Sequence, residues 1–469
     1  MSVDTVSLTG RGRTAPTTAV RFRPGGDAEA AAVVRGRGPR GAIARGLGRS
    51  PGDAAQNAGG SVLDMTGLDR IGSVDEAAGT VRCDAGVGLE RLLRVLLPLG
   101  WCLPVVPGTG RITVGGAVAS DVHGRDHRVS GSFCRHVGAL DLLTADGEVR
   151  TVLPGTALFD ATAGGLGLTG VVLRATLRLR RVATPLMAVS TERARDLDDL
   201  LDRFTAGGDR APYASAWIDL LARGGATGRG VLTRGEHARP DMLPAHARRT
   251  WRAPRPALPP LPALPALPAL PARVSALPAA VPAFLPGGLL GRAPASVLNE
   301  LRYRGAVLSR GVELRSVPAF FHTADALPDW SRPYARGGFV RYQCLVPYGQ
   351  EEALHRVVRR ISAQRSPAVR AVLQRLGAPG PGPLSFAAAG WTLALDLPAG
   401  PPAHPARLLD ALDEEVAAVG GRVCLAEDSR MRPETAAAMY PGLETFRALR
   451  AELDPTEAFR SDLSRRLAL

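Results

Sequence analysis

The stretch VVPGTGRITVGGAVASDVHGRDHRVSG, Val105 to Gly131, combines a tight glycine turn, a glycine-rich helix start and two histidines. Glycine lets backbone approach a ligand and adopt positive φ, and the N–H groups that open a helix favour an anion such as a pyrophosphate. Gly115 and Gly116, followed by Ala117, Val118 and Ala119, fit that geometry, although Gly-Gly-Ala segments also serve close helix–strand packing. Upstream, IARGLGRSPGDAAQN from Ile43 to Asn57 ends an apolar strand and supplies Arg49, Ser50 and Asn57 as phosphate or ring partners. Two such loops in one region imply a large, phosphate-bearing cofactor.

Working outward, 469 residues suffice for a sizeable core and two domains. The formal charge is +14 and all 58 basic residues are Arg, so the Arg, Ala, Gly and Pro enrichment reads first as base-composition bias. The basic balance suits an anionic partner, a phosphate or a membrane surface. Nucleic acid is disfavoured: aromatics are only 5% and the arginines are scattered, without a basic helix. Cys83, Cys102, Cys134, Cys344 and Cys424 are widely spaced and odd in number, fitting neither a disulfide framework nor a metal site, and no metal is expected. MSVDTVSLTGRGRTAP lacks the apolar core of a signal peptide and no run suits a bilayer span, so a cytoplasmic or peripherally membrane-bound protein is expected.

From Thr18 to Arg181 short apolar strands alternate with helical stretches. The pattern predicts strands at Gly41–Ala44, Ser61–Met65, Val81–Asp84, Leu140–Thr144 and Val171–Leu179, and a helix at Leu89–Leu97. Further on it predicts helices at Ala194–Thr205, Glu351–Ala363 and Ala406–Val419, and strands at Ala214–Leu220, Gly338–Val346 and Gly390–Leu397. Between them PALPPLPALPALPALPARVSALPAAVPAFLP places proline about every third residue, which forbids α-helix and points to polyproline II or disorder. Residues 240–295 are read as a disordered insertion, either inert or a lid or greasy surface facing a polyprenyl chain or membrane.

The two glycine segments resemble those of the decaprenylphosphoryl-β-D-ribose 2′-oxidase family, FAD-linked oxidases of the vanillyl-alcohol-oxidase type. The likeness extends through SFCRHVGALDLLTADGEVR (Ser132–Arg150), GGLGLTGVVLRAT (Gly164–Thr176), PLSFAAAGWTLALDLP (Pro383–Pro398), and LAEDSRMRPETAAAMYP with DPTEAFRSDLSRRL in the tail, covering most of the chain. It implies an α+β fold: a flexible N-terminus at 1–17, a PCMH-type FAD-binding domain of two subdomains at 18–183, a cap domain on an antiparallel sheet at 184–424, and a segment at 425–469 returning to the FAD domain. Matched by motif, Ala44, Arg45, Gly46, Leu47, Gly48, Arg49, Ser50, Gly52, Asp53 and Ala54 would wrap the cofactor. Gly108, Thr113, Val114, Gly115 and Gly116 would do so from the second loop, Ser120, Asp121, Val122 and His123 would line the ring, and Val172 would pack against it. Arg45–Asn57 holds no His or Cys, so FAD is expected to be dissociable.

The resemblance implies hydride transfer from a CH–OH carbon to flavin N5. His123 is the foremost catalytic candidate; His127 and His136 read as structural or surface residues. At several positions this chain departs from the family. A functional lysine is replaced by Glu427, a neighbouring tyrosine by Cys424, a second lysine by Gln374, an asparagine by Thr392, an inhibitor-reactive cysteine by Ala394, and the first loop's tyrosine by Pro51. One of two strand glutamines is Arg341 while Gln343 remains, and Arg125 replaces a lysine; Arg125, Arg341, Gln343, Gln374 and Thr392 are read as substrate-binding positions and Cys424 as a cofactor contact. Base bias predicts Lys to Arg, not Lys to Glu or Gln, so the pocket is re-specified or has lost its original task. Glu427 is either a base for the hydroxyl proton or the partner of a nearby Arg. Arg125 and Arg341 either clamp an anionic substrate or sit solvated at the surface. The expected substrate is a sugar, polyol or sugar-phosphate derivative. The alternatives are the family's lipid-linked ribose, with an NADH-dependent short-chain reductase as partner, or flavin binding without turnover.

Overall fold

Alternation of apolar residues with Arg or Thr produces the strand Val171–Arg178, which forms the centre of a five-stranded antiparallel sheet between Thr80–Asp84 and Val137–Leu143, with Ile71–Asp75 and Val149–Val152 at the edges. A four-stranded sheet precedes it in sequence: Thr17–Arg23 pairs antiparallel with Ser2–Leu8 and parallel with Ser61–Asp64, which pairs parallel with Ala42–Arg45. The computed structural model describes residues 1–206, 211–243, 292–306, 311–323, 325, 337–364, 368, 370–399 and 405–469.

The third sheet has eight strands in the order Glu313–Ser316, Leu186–Ala194, Gly230–His237, Tyr213–Ile218, Ala371–Leu376, Gly390–Pro398, Phe339–Pro347 and Arg422–Val423, every pair antiparallel. Strand side chains alternate between faces, so Ala216, Ile218, Tyr342, Cys344, Leu393 and Leu395 enter one core. Helices Leu197–Ala206, Glu351–Ala363 and Ala406–Ala417 bring Leu200, Phe204, Leu354, Val358, Ile361, Leu409 and Val416 to that core at three- and four-residue spacing. Each such side chain contributes about 1.5–3 kcal/mol on burial. The residues one step out of phase, Trp217, Arg341, Gln343, Val372, Gln374, Ala394 and Asp396, line a cavity instead.

Most expected elements coincide with the observed ones to within three residues, and three expectations are corrected. Ser2–Leu8 is a strand paired along its length with Thr17–Arg23, not a flexible end. It is an exposed edge strand held by its ladder, so it needs none of the apolar residues that announce a buried one. The helix expected from Ala194 starts at Leu197, because Ala194 ends a strand. Of the insertion assigned to 240–295, Pro240–Met242 is a helical turn, Leu243 is buried and Arg292–Gly305 is a helix; residues 244–291 lie outside the described residues.

The tail reaches back to the first sheet. The Ala42 N–H donates to Ala458 O at 2.8 Å and the Arg460 N–H to Ala42 O at 3.0 Å, while Phe459 packs with Ala30, Val34 and Leu63. Among the described residues no helix is long and apolar enough to cross a membrane.

Candidate active site

A cavity of about 450 Å³ runs between the two glycine segments and the out-of-phase face of the large sheet. From the first segment Ala44, Arg45, Gly46, Leu47, Gly48, Arg49, Ser50, Gly52 and Ala54 line it. The Arg45 guanidinium pins this loop, donating to Ala55 O at 2.9 Å and Thr9 O at 2.8 Å. Gly48 has φ +61°, which favours glycine. Among the described residues nothing accepts the backbone N–H groups of Gly46, Leu47, Gly48, Arg49 or Ser50, and Arg49 Nε is buried without a hydrogen-bond partner. Unpartnered donors facing a cavity fit a phosphate-bearing group. Asp53 does not line the cavity; its carboxylate takes two hydrogen bonds from Arg466 at 2.8–2.9 Å.

The second segment is built differently. Helix Val114–Ala119 is capped by Thr113, whose hydroxyl accepts from Gly116 N–H, while Val114 N–H donates to Val87 O and Gly115 N–H to Ala85 O. The donors expected to meet an anion are therefore spent. A Cβ on Gly115 would stand 3.0 Å from Ala85 Cβ, so this glycine serves packing against the preceding strand's end. Gly108, Thr113, Gly115, Gly116, Ser120, Val122 and His123 line the cavity, and Val172 lies on its wall. Val114 and Asp121 do not: Val114 is buried in the core, and Asp121, at φ +38°, turns its carboxylate to Cys134 N–H at 2.9 Å.

His123 Nε2 lies 3.0 Å from Gln343 Nε2, which also donates to Thr392 Oγ1 at 3.2 Å. With the amide donating, the imidazole accepts at Nε2 and carries its proton on Nδ1. Burial pulls His123 down to about 4, so the ring is neutral near pH 7. Thr392, expected to touch substrate, sits buried beneath Gln343 instead. His127 Nδ1 accepts from Gly377 N–H and His136 Nε2 lies 2.8 Å from Ser130 O, so each is held by backbone.

Arg341 and Asp396 are register partners on adjacent strands, joined by Nε–Oδ1 at 2.6 Å and Nη2–Oδ2 at 3.0 Å. Arg341 Nη1 also donates to Glu427 Oε2 at 3.2 Å. These carboxylates hold Arg341 well above its ordinary value against burial, and Arg341 holds Asp396 down. Arg341 is thus committed to two carboxylates, not held open as an anion clamp. Glu427 has the Arg partner, and no described residue donates to its Oε1. Gln374 and Cys424 also line the cavity; burial pushes the Cys424 thiol far up, leaving it a poor nucleophile.

Arg125 lies on the cavity wall with its guanidinium 4.6 Å over the Phe320 ring. Arg11, Trp217, Arg302, Arg370 and Asp396 line the cavity as well, although none was singled out in the sequence. Asp396 alone carried a signal, as an acidic residue inside the PLSFAAAGWTLALDLP motif and a predicted strand.

Residues 19–153 match the family model of the FAD binding domain. The chain is 37% identical to decaprenylphosphoryl-beta-D-ribose oxidase of Mycolicibacterium smegmatis, over 99% of this chain and 98% of that protein. It is 51% identical to an uncharacterized protein of Streptomyces coelicolor, over 82% of this chain and the whole of that one. Alditol oxidase of a Streptomyces species is 35% identical over 32% of this chain and 37% of its own length.

Proposed function

From the premise that this chain belongs to the decaprenylphosphoryl-β-D-ribose oxidase family of FAD-linked oxidases, we propose that it oxidises a CH–OH group of a sugar or polyol derivative in the cavity beside His123 and Glu427. The observation that carries the reading is the cavity itself: unpartnered N–H groups of Gly46–Ser50 on one wall, and the Glu427–Arg341–Asp396 and His123–Gln343–Thr392 chains on another. FAD, when bound, supplies the acceptor for the hydride. The Gly46–Ser50 donors and Arg49 would hold its phosphates, with no His or Cys in Arg45–Asn57 to bond it covalently. Glu427 Oε1 accepts the hydroxyl proton while Arg341 fixes the other oxygen. Neutral His123 orients the substrate oxygen by hydrogen bonding.

Stopped-flow reduction of the FAD-loaded protein tests the assignment. Glu427→Gln is expected to slow flavin bleaching on the order of 10²-fold or more with FAD still bound. An unchanged rate removes Glu427 as the base. A second reading, favoured by 37% identity along nearly the whole chain, is oxidation of the lipid-linked ribose for which that relative is named, with a short-chain reductase consuming the product. Glu427→Lys combined with Gln374→Lys should then raise activity on a polyprenyl-phosphoribose analogue if the pocket has only recently diverged.

A further inference from the structure

We propose that Arg125 and Arg302 form a subsite for a phosphomonoester dianion, so that the alcohol oxidised in this cavity belongs to a sugar or polyol monophosphate and not to a phosphodiester. The proposal rests on the oxidation assigned above and adds the group that recognises the far end of the substrate.

Most arginines in and near the cavity have partners of their own, Arg45 on backbone carbonyls and others on carboxylates. Arg341 is neutralised by Asp396 and Glu427, Arg466 by Asp53 and Asp428, and Arg315 by Glu313. Arg125 and Arg302 have no carboxylate and no hydrogen-bond acceptor among the described residues, yet both face the cavity. Each rests on an aromatic ring at 4.6 Å, Arg125 on Phe320 and Arg302 on Trp217. Such a face orients the guanidinium plane and leaves its N–H edge free for a ligand. The Arg125 carbonyl accepts from Ala214 N–H, which ties its loop to the strand carrying Trp217.

Holding two like-charged guanidinia without a carboxylate is costly even with Arg125 half-buried and Arg302 exposed, and both show it. Burial first, then repulsion from neighbouring arginines including Arg370, pulls each down to about 10. An anion arriving between them recovers that cost, and the recovery is fullest when its charge matches theirs. A phosphomonoester above its second ionisation, near pH 6, approaches two negative charges, whereas a phosphodiester carries one. The carboxylates Asp396 and Glu427 are engaged by Arg341 and do not neutralise this pair.

The test uses the FAD-loaded protein, so that the glycine cradle is filled, with inorganic phosphate, sulfate and dimethyl phosphate as calorimetric probes. Phosphate and sulfate should bind at pH 8, with dimethyl phosphate weaker on the order of tenfold or more. Lowering the pH to 5 should weaken phosphate about tenfold, in step with its second ionisation, and leave sulfate unchanged. Arg125→Gln and Arg302→Gln should each lose on the order of tenfold in phosphate affinity, with Lys at either position recovering part. In bleaching assays both variants should raise KM for a pentose or hexitol monophosphate more than they lower the limiting rate. Dimethyl phosphate binding as tightly as phosphate, or unchanged affinity in both variants, overturns the proposal. If an uncharged polyol or a lipid-linked diester bleaches the flavin and phosphate does not bind, the subsite falls and the oxidase reading stands. If phosphate binds with this pH profile and no alcohol bleaches the flavin, the subsite stands and the oxidase reading falls.

Discussion

Two glycine-rich segments wall the same cavity and use the same residue for opposite ends. In Arg45–Gly52 the backbone is offered to the cavity, with five consecutive N–H groups that no described residue accepts. In Thr113–Gly116 the backbone is spent on the protein, with N–H groups taken by Val87 O, Ala85 O and Thr113 Oγ1. A glycine-rich motif therefore announces close approach and leaves open what approaches: a ligand in the first case, the end of a neighbouring strand in the second.

Substitutions can break that contrast. The largest effect is expected from Gly115→Val, whose branched side chain would press on Ala85; overpacking should cost about 3 kcal/mol in denaturant unfolding, while the molecules that fold keep their FAD affinity. Stability equal to wild type would mean that the second wall is not a packing device. Gly48→Ala should cost about 1–2 kcal/mol, because a Cβ at φ +61° is strained and meets the Arg45 guanidinium at 2.3 Å. Here FAD affinity, measured by fluorescence titration, should fall as well. Gly108→Val has nothing described within 4 Å of the new Cβ, so stability should stay within about 0.5 kcal/mol while FAD binding weakens. Loss of stability without loss of affinity would reverse its assignment.

A separate effect concerns acid. Burial places His123 at about 4, His127 at about 3 and His237 at about 4, all below the ordinary 6.5, so between those values the unfolded chain binds more protons. Their contribution is complete above pH 6.5 and is lost as the pH falls. Asp126 and Asp413, raised to about 6 from 3.8, act in the opposite sense, with a contribution that fades as the pH rises through 6. The histidines outnumber them, so unfolding free energy should drop from pH 7 to 5. His123→Gln should flatten that slope by at most about 1.4 kcal/mol per pH unit.

Much of this was legible in the sequence because it is local. Period-two and three-four spacing located the strands and helices, and the loop Arg45–Ala54 lines the cavity almost throughout. What escaped is settled by partners distant in sequence. Asp53 looked like part of the cradle until Arg466 claimed it, and Thr392 lies beneath Gln343 because two strands meet in one particular register. Arg302 had no motif and lay just beyond a proline-rich run, so only the aromatic partner Trp217 reveals its direction. The family likeness assigned Glu427 a place in the pocket, but its ion pair with Arg341 required coordinates.

The clamp of Arg466 on Asp53 also sets an order of events during synthesis. Asp53 leaves the ribosome early, and the side chain that holds its loop follows 413 residues later. Until then the glycine loop is held only from within the first part of the chain, by Arg45 on Ala55 O and Thr9 O, and the same Arg466 must reach Asp428 and Met431 O to tie it to the tail. A chain that stops short of Arg466 therefore lacks the fastening that joins the glycine loop to the Asp428 segment.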